Sequence, residues 1–344
     1  MRYKAVDLYA GCGGMSEGLR QACFDVIAAV EIDKYAAKTY RLNHPDTVLF
    51  EEDIRSLHTD RIKELLDREP LHLLAGCPPC QGFSSIRRLN RKQAVEDERN
   101  DLILEFLRFA KKIRPLTIMM ENVPGIVDYH LFKDVVEELR ELGYRPQYKI
   151  VDVSNYGVPQ RRKRLVLVGS LLGQLNVLEC EMEIVTVRKT IGELEDVRKT
   201  QDPLHKIFPK HTQRIQDMIS RIPKDGGSRS DLSEEEQLEC HRKKNVGFND
   251  VYGRLKWDDV SSTITGGCLN PSKGRFLHPE EDRCITAREA ALLQSFPPSY
   301  KFAVDDITRG ALASQIGNAL PPQFCFVHAR NIHTHLEKYL VDAV

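Results

Sequence analysis

The chain predicts an α/β fold, a doubly wound and mostly parallel sheet joined to a smaller irregular domain. Three features carry that prediction. Short apolar runs alternate with amphipathic stretches through the first half of the 344 residues, the pattern of repeated strand–helix–strand units. Glycine, acidic and thiol features recur immediately after those runs, the position where open α/β sheets bind ligands. Beyond about residue 170 the alternation fades into segments marked by Asp225-Gly226-Gly227-Ser228, Glu234-Glu235-Glu236 and Gly266-Gly267.

Taken in order, Ala5–Ala10 reads as a strand ending in Gly11-Cys12-Gly13-Gly14, and Ser16–Ala22 as a helix. Asp25–Val30 is a second strand with Glu31 at its end, followed by helical sequence over 34–42. Thr47–Phe50 is a third, ending near Asp53, before a helix over 59–67. Leu71-His72-Leu73-Leu74-Ala75 reads as a buried strand that Pro78 and Pro79 stop, because proline fixes φ and offers no N–H. Residues 101–112 form an amphipathic helix, Leu116–Met120 a strand ending at Glu121-Asn122, and Leu131–Leu142 a helix closed by Gly143. Tyr148–Val153 and Leu165–Val168 complete the strands. Helical periodicity returns at Thr286–Gln294 and from Pro321 to Leu340. The expected division is a catalytic and cofactor-binding domain over 1–184, rejoined by 281–344, and a second domain over 185–280.

Fifty basic and fifty acidic residues give a formal net charge of zero. Any nucleic-acid surface must then be local, as at Arg87-Arg88 or Arg161-Arg162-Lys163-Arg164. No apolar run approaches the ~18 residues of a membrane span, and Met1-Arg2-Tyr3-Lys4 lacks a signal-peptide layout. A cytoplasmic protein without a membrane partner is expected. The nine cysteines are scattered, and only Cys77 and Cys80 have C-x-x-C spacing. No second pair completes a zinc ribbon, so no metal is expected.

Cys80 stands just past the end of a strand on a stiff turn, where a thiol is a candidate nucleophile. A redox C-x-x-C motif usually opens a helix, whereas Gly82, Phe83, two serines and a basic stretch follow here. At the other strand ends, the turn Gly11-Cys12-Gly13-Gly14 lets a ligand approach the main chain. It lacks the dinucleotide spacing, and Glu17 would compete with a phosphate. Glu31 suits two ribose hydroxyls, and Asp53 suits the exocyclic amine of an adenine. An adenosine without phosphates is implied, which points to S-adenosylmethionine.

These motifs together resemble the cytosine-5 DNA methyltransferase family, in family order across nearly the whole chain. The matches are Asp7–Gly14, Glu31, Asp53, Pro78-Pro79-Cys80-Gln81-Gly82-Phe83-Ser84, Glu121-Asn122-Val123 and the Gln-x-Arg-x-Arg of Gln160, Arg162 and Arg164. Thr286-Ala287-Arg288-Glu289 and Gln315-Ile316-Gly317-Asn318-Ala319-Leu320-Pro321-Pro322 complete them. Tyr9 replaces the family's usual phenylalanine and Leu320 its usual valine; the Tyr9 hydroxyl needs a partner.

The resemblance implies a Rossmann-like methyltransferase sheet with a target-recognition domain, S-adenosylmethionine as cofactor and double-stranded DNA as substrate. It implies Cys80 as the nucleophile at cytosine C6, Glu121 as proton donor at N3, Arg162 and Arg164 as groups steadying the base, and Asn122 as a residue shaping the pocket. For the cofactor it implies Asp7, Tyr9, Gly11, Gly13, Gly14, Glu31, Ile32, Asp53, Ile54, Pro79 and Asn318. For DNA, Ser84, Ser85, Arg87 and Arg88 follow the nucleophile, and Arg254, Thr263 and Thr265 lie in or beside a short family element of the recognition region. Cys77 reads as a packing thiol, Arg161 and Lys163 as backbone contacts or solvated charge, and the Arg288-Glu289 motif as architectural. A monomer and a cognate restriction endonuclease are further implications. The competing readings are a tRNA methyltransferase, whose Cys-Phe-Thr element is missing here, and a catalytically silent homologue, which would lose the nucleophile or the carboxylate that this chain keeps.

Overall fold

A computed structural model describes residues 2–79, 101–239 and 250–340. It divides into two compact units, one of Met1–Tyr156, Lys163–Glu181 and Leu320–Val344, the other of Gly157–Arg162 and Met182–Ala319.

The first unit holds a seven-stranded sheet: β1 (Tyr3–Leu8), β2 (Phe24–Val30), β3 (Val48–Phe50), β4 (Leu73–Gly76), β5 (Thr117–Asn122), β6 (Gln147–Asp152) and β7 (Lys163–Ser170). The order is β3-β2-β1-β4-β5-β7-β6. Strands β1 to β5 pair in parallel, and β7 runs antiparallel to both β5 and β6. The carboxyl ends of the other six strands and the amino end of β7 therefore reach the same sheet edge. The connecting helices are α1 (Gly14–Gln21), α2 (Lys34–Asn43), α3 (Asp60–Glu64), α4 (Leu102–Ile113) and α5 (His130–Glu141).

Strand alternation sorts the two faces. Val6, Leu8, Leu74 and Ile118 join Phe106, Phe109, Val135 and Leu139 in the main apolar core with α4 and α5. Helix α5 stops where expected, with Gly143 at φ 89° and its N–H on the carbonyl of Arg140.

The second unit carries α6 (Val187–Ile191), α7 (Gln213–Arg221), α8 (Ala287–Leu293) and α9 (Arg309–Asn318); α10 (Pro322–Leu340) returns to the first unit. Residues 281–319 thus group with the second unit, where the sequence reading had joined them to the catalytic domain. The cause is a set of buried side-chain amides and guanidiniums. Gln294 donates from Nε2 to the carbonyls of Ile316 (2.6 Å) and Ala319 (3.3 Å) and accepts from Gln160. Arg283 holds Glu289 through two 2.8 Å bonds. Helix α9 was missed because it offers no apolar stripe: it buries Ala313, Gln315 and Gly317 as well as Leu312 and Ile316. Gly317 is required there, since a Cβ would stand 2.0 Å from the carbonyl carbon of Thr265.

Candidate active site

The glycine turn follows β1 directly. Tyr9 and Gly11 adopt φ 63° and 57°, and Gly13 caps α1 at φ 94° without a side-chain cap. A Cβ on Gly11 would meet nothing within 4 Å, so the backbone there faces open space. The Gly11 N–H donates to Glu31 Oε2 at 2.7 Å, and the Asp33 N–H to Oε1 at 2.7 Å. Burial raises the Glu31 carboxyl above the usual range, opposed by those amides. Each oxygen keeps a lone pair for a further donor. Ile32, next in the chain, is 65% exposed, an unusual state for a large apolar side chain.

The Tyr9 hydroxyl finds its partner in the carbonyl of Leu102, at 2.5 Å. Asp53 is half-buried at the end of β3, and Arg55 occupies both its oxygens at 2.6–3.0 Å. That pairing holds its carboxyl below the usual range. Ile54, next in the chain, is 4% exposed, with its side chain in the apolar core. Asp7 is buried, bonded from Ser16 Oγ to its Oδ2 at 2.6 Å.

Glu121 closes β5 with Asn122. The register sets Gly76 beside Met120, which carries Cys77 alongside Glu121. Arg164 Nε lies 2.7 Å from Glu121 Oε1, and both side chains are largely buried. The antiparallel pairing makes this possible, because β7 starts where β5 ends. Asn122 Nδ2 donates to the carbonyl of Pro78 at 3.0 Å, and its Oδ1 accepts from the Val123 N–H at 2.8 Å. Asn122 therefore fixes the turn that leads to Cys80. Pro78 is buried and Pro79 half-buried. Burial and the neighbouring Glu121 carboxylate hold the Cys77 thiol well above its ordinary pKa, which suits a packing thiol and opposes a nucleophile. Cys80, Ser84, Ser85, Arg87 and Arg88 lie outside the described residues.

Arg162 belongs to the second unit and donates from Nη1 to the carbonyls of Ile264 and Gly317, both at 2.9 Å. Arg254 corrects the expectation of a DNA contact. It is fully buried and donates to the carbonyls of Ile222, His278, Glu281 and Ile219 and to Asp282. Nothing remains exposed for a phosphate. Thr263 and Thr265 are half-buried; Thr263 Oγ1 donates to the Arg161 carbonyl at 2.7 Å, and Thr265 Oγ1 accepts from the Gly267 N–H at 3.3 Å. Arg161 pairs with Asp259 at the surface. Asn318 ends α9, exposed, with Nδ2 on Ser314 Oγ at 3.0 Å. Arg288 pairs with Asp202, and Thr286 and Glu289 form a reciprocal cap on α8, an architectural use of that motif. Sequence reasoning missed Gln294 and the Ser16–Asp7 bond, since neither carries a spacing signal.

A parallel sheet with one reversed strand, carrying a glycine turn, the Glu31 carboxylate and a Glu–Arg pair along one edge, defines a methyltransferase of the doubly wound α/β class. The model of the C-5 cytosine-specific DNA methylase family matches residues 3–334. The chain belongs to that family and is a DNA cytosine-5 methyltransferase. It is 34% identical to Type II methylase M.HgiDII of Herpetosiphon aurantiacus, over 96% of this chain and 95% of the relative. It is 32% identical to Type II methyltransferase M1.HphI of Haemophilus parahaemolyticus, over 92% and 83%. Among solved structures it resembles a DNA modification methyltransferase encoded within an Escherichia coli prophage, with TM-score 0.76 and 25% identity over 97% of this chain and 99% of that one. The S. pombe Dnmt2 methyltransferase shares the fold, with TM-score 0.67 and 20% identity over 98% and 99%. Among the described residues no helix is long and apolar enough to cross a membrane.

Proposed function

We propose that the chain methylates C5 of a cytosine flipped out of duplex DNA, with S-adenosylmethionine as methyl donor and a covalent bond from Cys80 to C6. The observation that carries this reading is the Glu121–Arg164 pair at 2.7 Å, one strand from the turn that Asn122 ties through Pro78.

The residues at the glycine turn fit an adenosine cofactor. Gly11 faces open space, the Glu31 oxygens keep lone pairs for ribose hydroxyls, and exposed Ile32 offers an apolar face to a base. Asp53 would take the adenine amine if Arg55 yields one oxygen. When bound, S-adenosylmethionine supplies an electrophilic methyl group. Cys80 thiolate would add to C6 of the cytosine, and Glu121 would protonate N3, so that the ring becomes enamine-like and C5 nucleophilic. Arg164 holds the Glu121 carboxyl at the place where that proton is needed. Once C5 has taken the methyl group and S-adenosylhomocysteine is left, loss of the C5 proton to solvent would expel the Cys80 thiolate, and return of the N3 proton to Glu121 would restore the neutral aromatic ring. A base buried in a duplex cannot reach these groups, so it must be flipped out at a cost of a few kcal/mol. Ser84, Ser85, Arg87 and Arg88 would contact the DNA around it. The names of the Type II relatives support a restriction-modification setting, with a cognate endonuclease as the implied partner and a cytoplasmic monomer as the working form.

The test uses tritiated S-adenosylmethionine and mixed-sequence duplex DNA, with the modified base identified after digestion. Label on C5 of cytosine is expected; label on adenine, on cytosine N4 or only on tRNA overturns the reading. Cys80→Ser should lose turnover and trapping by 5-fluorocytosine DNA yet keep cofactor binding, whereas Cys77→Ser should keep both.

A further inference from the structure

The proposed chemistry leaves the position of Asp7 unexplained. Its side chain is 1% exposed, and its Oδ1 has no hydrogen-bond partner. A buried carboxyl oxygen left unpaired is costly, so it should serve something. Its surroundings show what. Helix α1 begins at Gly14 behind Gly13, which has no side chain to cap it. Three residues into the cap sequence, Ser16 turns its hydroxyl down onto Asp7 Oδ2 at 2.6 Å, and Tyr40 Oη lies 2.7 Å from the same hydroxyl. The Ser16 amide also favours the charge on Asp7. A carboxyl from β1 thus does from beneath what a capping side chain would do from the front.

We propose that Asp7 is a positioning residue, which pins the Gly11–Gly14 turn to α1 through Ser16 and carries a proton linked to the integrity of that turn. This rests on the cofactor reading of the turn given above. Four titratable groups face Asp7: Glu31 at the end of β2, Tyr40 on α2, Cys77 after β4 and Cys325 on α10. None of the four is a cation, so an ionised Asp7 has only Ser16 to offset its burial. The carboxyl is accordingly pushed up to about 7 by burial, against the pull of the Ser16 hydroxyl. The sign follows: a carboxyl that titrates higher in the folded chain than in the unfolded one adds stability at low pH, and that stability is lost as pH rises towards 7.

The experiment is chemical denaturation of the full chain and of Asp7→Asn between pH 4 and pH 8, read as a difference. The difference is needed because His44 and His328, each lowered by burial to about 4, bend the profile the other way. Between pH 4 and pH 7 the unfolding constant of the parent should rise relative to the variant by close to tenfold per pH unit, and level off above. An equal slope in both proteins overturns the proton linkage. In parallel, S-adenosylhomocysteine is titrated into folded Asp7→Ala by calorimetry. Its dissociation constant should rise at least tenfold. A lowered melting temperature with unchanged affinity makes Asp7 merely structural and overturns the positioning role. If Asp7→Ala does not fold, the same titration on Asp7→Asn, expected within about threefold of the parent, and the pH difference decide. If the parent itself fails to bind S-adenosylhomocysteine, the cofactor reading and the positioning role fall, while the pH difference still decides the proton linkage.

Discussion

At the scale of single residues, the site depends on side chains held by fixed donors. Glu121 has Arg164 Nε at 2.7 Å in a largely buried setting, where a charge-assisted bond is stronger and more directional than in water. Arg164→Met should lower kcat about 100-fold, the usual scale for removing one preorganised donor, while S-adenosylhomocysteine affinity stays at the parent value. A loss confined to cofactor affinity would place Arg164 outside the chemistry. Most such residues were legible beforehand because they follow apolar runs: Glu31, Asp53, Glu121 and the Pro78-Pro79 turn all emerge at strand ends. What was illegible depends on depth. Arg254 sits in sequence beside an expected DNA-contacting element, yet burial commits it to a knot of backbone carbonyls. Arg162 stands two residues before Arg164, ahead of the start of β7, and it donates to Ile264 and Gly317 instead of Glu121.

At the scale of elements, α1 and α10 pack at backbone distance. A Cβ on Gly18 would stand 2.5 Å from both Cys325 Cβ and the Pro322 carbonyl oxygen. Cys325 Sγ adds a bond to the Met15 carbonyl at 3.3 Å. Gly18→Ala should therefore cost at least about 2 kcal/mol in equilibrium denaturation, since backbone cannot retreat as a flexible side chain can. A cost under about 0.5 kcal/mol would mean that α10 shifts freely. The strands were readable from their apolar runs and the long helices from periodicity and caps. Helix α9 was not, because it buries small and polar residues as well as apolar ones and so displays no stripe.

At the scale of the whole molecule, the two units differ in what holds them. The first rests on a sheet and its apolar core. The second leans on buried polar hubs such as Gln294, Arg283 and Arg254. Composition and periodicity register the first kind of order and not the second, which is why the grouping of residues 281–319 with the second unit is not legible in the sequence. Arg254→Met should strip the carbonyls of Ile222 and His278 of their donor, while Ile219, Glu281 and Asp282 keep Ile222 N–H, Arg283 N–H and Lys224, destabilising the second unit by about 2–4 kcal/mol. A phosphate contact would behave differently: melting would hold and the salt dependence of DNA binding would flatten. Calorimetric melting with DNA binding at two salt concentrations separates these outcomes.

The reversed strand also sets a schedule. Strand β5 pairs with β7, and β6, although made earlier, takes the outer edge. While the chain is still being synthesised, β5 waits with one flank unpaired and Glu121 waits without Arg164. Competence therefore arrives late, when the ribosome has released Lys163–Ser170, and a chain abandoned before that point carries its carboxylate without the arginine that aims it.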